Sequence, residues 1–188
     1  MSDRPTPPGR PRSEDARLAV LNAADDLLVE QGYAALTMKG IAERAKVGRQ
    51  TVYRWWSSKA EILLEASAAD ARRELSLDPG ASAQEEVVAF LTALSGFLAT
   101  SDAGRAYRAL LGEAQHDERV AELLRGTDVL GESALVVITR LRGRGALPEG
   151  SDRMLVAELV GPLVIRILSE GAEPSASELE AMARRFLR

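Results

Sequence analysis

Residues 37–59 read Thr-Met-Lys-Gly-Ile-Ala-Glu-Arg-Ala-Lys-Val-Gly-Arg-Gln-Thr-Val-Tyr-Arg-Trp-Trp-Ser-Ser-Lys. They hold both tryptophans of the chain and one of its three tyrosines. Thr37 is a helix cap, and Ile41 and Ala45, four residues apart, predict a short helix over 38–45. Lys46-Val47-Gly48 interrupts it: the glycine is expected to supply the non-helical backbone of a tight turn, with Val47 plugging the angle between two helices. A second short helix is predicted from Arg49 to Trp56. On it Val52 and Trp56 share an inward face, while the pairs Arg49 with Tyr53 and Thr51 with Trp55 face out. The two indoles are expected to point about 100° apart and to do different work. Ser58 then caps a longer helix, 59–77, with Glu61 completing a capping box.

Outside this segment the pattern stays helical. A first helix over 14–31 carries Leu18, Leu21, Ala24 and Leu28 on one face and stops at Gly32. Further helices are predicted over 83–99, 103–113, 118–125, 127–144, 152–169 and 177–186, and no alternating β-branched run occurs. The fold class is all-α with about nine helices, divided into a disordered basic arm (1–13), a DNA-binding domain (14–58) and a helical effector-binding and dimerisation domain (59–188). Of the 188 residues 46% are apolar and 28% charged, which suits a folded, water-soluble chain.

Composition also narrows the chemistry. There is no cysteine and one histidine, so thiol catalysis, disulfides and zinc ribbons are excluded. No glycine-rich phosphate loop or metal-ligand cluster is present, and carboxylate pairs such as Glu85-Glu86 fall where solvated helix faces are expected. A helical enzyme therefore lacks a visible site, and no cofactor is implied. A purely structural interaction module remains compatible with the last two-thirds of the chain but leaves residues 37–59 unexplained. With neither a signal peptide nor a long apolar run, the expected location is the cytoplasm, without membrane contact. The net charge of −4 hides an asymmetry: ten Lys and Arg against seven Asp and Glu through residue 60, fourteen against twenty-one after it. The anion-binding surface belongs near the N-terminus.

Two short helices joined by a tight turn match a helix-turn-helix, whose second helix enters the major groove of duplex DNA. Thr37, Ile41-Ala42, Ala45, Val47, Thr51-Val52-Tyr53, Trp56 and Lys59 together resemble the DNA-binding signature of TetR-type transcriptional regulators over residues 14–64. Three positions depart from it: Lys46 replaces a common glycine, Gly48 a common serine cap, and Trp56 the usual phenylalanine. The resemblance implies that Lys39, Arg49, Gln50 and Thr51 approach base edges. It places Thr37, Met38, Gly48, Tyr53, Trp55 and Lys59 along the phosphate backbone. Ahead of the domain, Pro8-Gly9-Arg10-Pro11-Arg12 resembles the core of an AT-hook, so Arg10 and Arg12 are candidates for the minor groove.

The resemblance further implies a helical domain with a small-molecule effector cavity and a dimer interface built from the last helices. Candidate effector contacts are Tyr107, Glu113, His116, Arg140 and Arg166, although His116-Asp117 also reads as a plain turn and helix start. Residues 155–168 are apolar around most of their helix, which needs burial on more than one side. Leu159, Leu163 and Ile167 are the expected interface, with a central core position within one subunit as the competing explanation for so apolar a helix. The expected partners are an operator in double-stranded DNA, a small-molecule effector and a second copy of the chain, with the effector releasing the operator.

Overall fold

The computed structural model describes residues 11–188, with side chains from residue 14 onward. The described residues form ten α-helices and no strand. They fall into two compact units, one ending at Leu63 and the other beginning at Leu64. That division lies inside a helix rather than ahead of it, five residues beyond the boundary expected from sequence.

The first unit contains α1 (Pro11–Ala35), α2 (Met38–Arg44), α3 (Arg49–Trp55) and the first turn of α4 (Lys59–Glu74). Helix α1 starts three residues earlier than its Ser13 cap suggests, so the expected arm overlaps it. Arg10 and the side chain of Arg12 lie outside the described residues. The helix breaks at Gly32, where φ is 76° and ψ 168°, a backbone state essentially reserved for glycine. Leu21, Ala24 and Leu28 are buried as expected, together with Val20, Ala23 and Leu27. Leu18, expected on the same face, is exposed, because the buried stripe begins two residues later at Val20.

The second unit is organised around α5 (Ala83–Ala99), whose Val87, Phe90, Leu91, Leu94, Phe97 and Leu98 are all buried. Around it pack α6 (Asp102–Glu113), α8 (Gly131–Gly143), α9 (Asp152–Glu170) and α10 (Ala176–Phe186), while α7 (Glu118–Gly126) lies on α6. Capping boxes start two of these helices, Ser82 with Glu85 on α5 and Ser175 with Glu178 on α10. Helix α8 begins later than expected because Asp128 turns back to accept a hydrogen bond from the Gly131 amide, holding 127–130 out of the helix. Where α6 meets α5, a Cβ on Gly104 would stand 1.7 Å from the Phe97 carbonyl oxygen, so only glycine permits this approach.

One expectation about surface charge is overturned. Glu85 is the solvated capping residue, but its neighbour Glu86 is only 2% exposed. Its carboxylate lies 2.6 Å from Arg140 Nε and 3.2 Å from Arg144 Nη1, both presented by the end of α8. The same two arginines donate to the carbonyl oxygens of Leu77 and Gly80 in the segment between α4 and α5. Burial of Glu86 is tolerated because its charge is paired twice.

Candidate nucleic-acid interface

Helix α2 starts at Thr37, an extended residue (φ −133°, ψ 149°) whose hydroxyl accepts the Gly40 amide at 3.0 Å. It ends in a Schellman motif: Val47 N–H donates to Ala42 O at 3.1 Å and Lys46 N–H to Glu43 O at 3.2 Å. The left-handed residue this motif requires is Lys46, with φ 57°. Gly48, from which the turn geometry was expected, is extended (φ −65°, ψ 139°), a conformation open to any residue. The glycine common in the resembled signature thus meets a real steric demand, and this chain meets it with lysine.

Behind the motif Ile41, Ala42, Val52 and Trp56 are buried, which fixes the outward face of α3. Arg49, Gln50 and Tyr53 are exposed, Tyr53 by 57%, while Thr51 and Trp55 are half-buried. Thr37 and Lys39 are exposed and Met38 half-buried. No side chain caps α3, since Gly48 has none to offer. Helix α3 ends at Trp55, and Trp56 has an extended backbone (φ −135°, ψ 135°). The helical spacing that separated the two indoles therefore does not apply: they meet edge to face, centroids 5.4 Å apart at 87°. Arg54 lies over the outer ring, 5.3 Å from the Trp55 centroid.

Ion pairs brace the motif. Arg44 holds Glu30 of α1 through both oxygens, at 2.9 and 2.5 Å, and stands 3.8 Å from Asp26. The Arg44 hydrogen bond keeps the Glu30 carboxyl below the usual carboxylate range. Ser58 caps α4 by accepting the Glu61 amide at 3.2 Å. The capping box is displaced by one residue, because the Glu61 carboxylate takes the amide and hydroxyl of Ser57. Lys59 is half-buried and donates to the Tyr33 carbonyl oxygen at 2.7 Å.

The expected effector residues differ in their surroundings. Tyr107 turns toward Phe97, centroids 6.4 Å apart, and burial aided by the Asp128 charge pushes its phenol up to about 12. Glu113 is half-buried at the end of α6. His116 is exposed in the turn before α7, whose cap is Asp117, so the plain turn reading describes it. Arg140 is engaged by Glu86, and Arg166 by Glu178 at 2.7 Å and Glu170 at 3.4 Å. The expected dimer residues differ in exposure. Leu159 and Leu163 are buried within their own subunit and Ile167 is half-buried; the outward face of α9 instead carries Met154, Ile165 and Leu168. Sequence alone did not reveal which side of so apolar a helix faces its own core.

The comparisons with known proteins agree with this geometry. Residues 20–66 match the family model for bacterial regulatory proteins of the tetR family, and residues 77–186 the model for a tetracyclin repressor-like C-terminal domain. The chain is 35% identical over 179 residues to the HTH-type transcriptional regulator YdeS of Bacillus subtilis (strain 168), covering 90% of this chain and 86% of that one. It is 28% identical over 170 residues to the DNA-binding transcriptional repressor TetR of Mycobacteroides abscessus, covering 85% of each. The crystal structure of the TetR family transcription regulator SCO0332 superposes with a TM-score of 0.78 at 25% identity, over 92% of this chain and 97% of that one. No single helix among the described residues is long and apolar enough to cross a membrane. Matched along nearly its whole length, helix-turn-helix and helical remainder alike, the chain belongs to the tetR family of bacterial regulatory proteins, DNA-binding transcriptional regulators rather than enzymes.

Proposed function

We propose that this regulator is a cytoplasmic repressor that binds a near-palindromic operator as a homodimer and is released by a small-molecule effector. The observation that carries the reading is the sidedness of α3: Val52 and the adjoining Trp56 are buried, leaving Arg49, Gln50 and Tyr53 exposed toward a groove. Arg49 is the principal reader, since a guanidinium donates two hydrogen bonds to guanine. Lys39, Gln50 and Thr51 share the base side, and Thr37, Met38, Gly48, Tyr53 and Trp55 the phosphate side.

One recognition helix touches too few bases for useful specificity, which is the motive for a two-fold dimer. Its support is an apolar groove of about 730 Å³ between α9 and α10, lined in part by Gly161, Pro162, Ile165, Met182 and Phe186. Ile165 is 60% and Leu168 38% exposed beside it. A second copy is the occupant that buries this face, because a two-fold contact sets like surface against like. Effector binding in the second unit favours a separation of the two recognition helices that no longer fits successive major grooves. Covalently, α4 joins the two units.

The test is selection of duplexes from a random pool by the purified protein. Enrichment of a near-palindromic sequence is expected, with affinity falling steeply with salt and weakened by Arg49→Ala. Light scattering of wild type should give twice the 20.2 kDa subunit mass, and Ile165→Glu the subunit alone. A wild-type monomer, or selection of no sequence, would refute the proposal.

A further inference from the structure

Glu43 faces both cations assigned to the base side. Its Oε1 lies 3.8 Å from Lys39 Nζ, one turn back on α2, and 3.6 Å from Arg49 Nη2, across the turn on the first residue of α3. All three side chains are well exposed, at 62%, 62% and 57%, so these pairs add little to stability. Their effect on binding is another matter. A carboxylate placed between two reading cations cancels part of their charge toward any phosphate backbone. Its contact with Arg49 engages one terminal nitrogen and leaves the other guanidinium donors for a base edge.

We propose that Glu43 is a specificity-determining positioning residue, which holds Arg49 and Lys39 in place for reading and lowers their attraction for duplex DNA of arbitrary sequence. Non-specific binding is almost wholly electrostatic, so it bears the full effect of the carboxylate. Operator binding recovers part of it through the oriented Arg49 fork. The inference rests on the assignment of α3 as the reading helix.

The experiment compares wild type, Glu43→Gln, Arg49→Ala and the double variant by fluorescence anisotropy. The two probes are the duplex that wild type selects from a random pool and a scrambled duplex of equal length and composition. Glu43→Gln is expected to bind the scrambled duplex about three- to fivefold more tightly at low salt, with a smaller gain on the selected one, so that their ratio falls. In the Arg49→Ala background that fall should disappear, an outcome that a merely structural role for Glu43 does not produce. An unchanged ratio in Glu43→Gln, or an equal fall with Arg49 absent, overturns the proposal. Should wild type enrich no duplex, the regulator reading fails first and this inference falls with it.

Discussion

Lys59 Nζ stands 4.1 Å from the centroid of the Tyr33 ring while donating a hydrogen bond to the carbonyl oxygen of the same residue. The ammonium is thus tied to the chain just past the break at Gly32. A cation over an aromatic face and a charged hydrogen bond together stabilise the first unit by about 1–2 kcal/mol. Lys59→Met should lower stability in urea by that amount and weaken duplex binding, with little change in its salt slope. A slope reduced by about one, at unchanged stability, would place the ammonium on a phosphate instead.

Lys46 and Gly48 offer a paired test of the turn. Lysine in the left-handed region is strained by about 1 kcal/mol, which Lys46→Gly relieves at the expense of some unfolded-chain entropy. At Gly48 an added Cβ would be 3.8 Å from Thr51 Oγ1, an ordinary contact, so serine fits and adds a cap. Gly48→Ser should stabilise by about 0.3 kcal/mol and Lys46→Gly by up to about 1 kcal/mol, both measured by chemical denaturation.

The buried carboxylate of Glu86 is the most sensitive charged position in the second unit. Glu86→Ala leaves Arg140 and Arg144 without their shared partner and a void beside α8. Both arginines reach solvent, which moderates the loss to about 3 kcal/mol, the low end for breaking a buried pair. Thermal unfolding followed by circular dichroism should show it as a markedly lower midpoint.

Two groups in the second unit contribute a pH dependence to its stability. Tyr107 is raised to about 12 by burial, so the unfolded chain ionises first as pH climbs past 10. Its contribution is complete below about pH 10 and lost between there and 12; Tyr107→Phe should remove that part of the alkaline decline. Glu178 is lowered by the Ser175 amide and hydroxyl and by Arg166. Its contribution is present above the ordinary glutamate range and lost as pH falls below it, so Glu178→Gln should flatten the acid limb of the stability profile.

The helix-turn-helix was legible because its signals are local. Thr37 caps three residues ahead of the amide it binds, and Val52 and Trp56 are the apolar members of the segment, buried as read even though Trp56 lies just past the helix end. The left-handed turn residue was hidden because lysine gives no hint of positive φ, and a glycine two residues later offered a false one. The indole contact was hidden for a similar reason, since nothing local marks Trp55 as the last helical residue. In α9 almost every side is apolar, so periodicity cannot distinguish Leu159 and Leu163, which face the subunit's own core, from Ile165, which does not. Glu86 needed the most distant information: its partners lie more than fifty residues along the chain, and only packing brings them to it.

The crossed indoles carry a practical consequence. Both tryptophans of the chain lie in the first unit, one buried and one half-exposed beneath Arg54. Intrinsic tryptophan emission is therefore a private signal of the reading motif, blind to the hundred-odd residues beyond Leu63. Heating the protein while recording emission and far-ultraviolet ellipticity side by side reports one unit in the first channel and both in the second. An unlabelled sample thus reveals whether the two halves melt together.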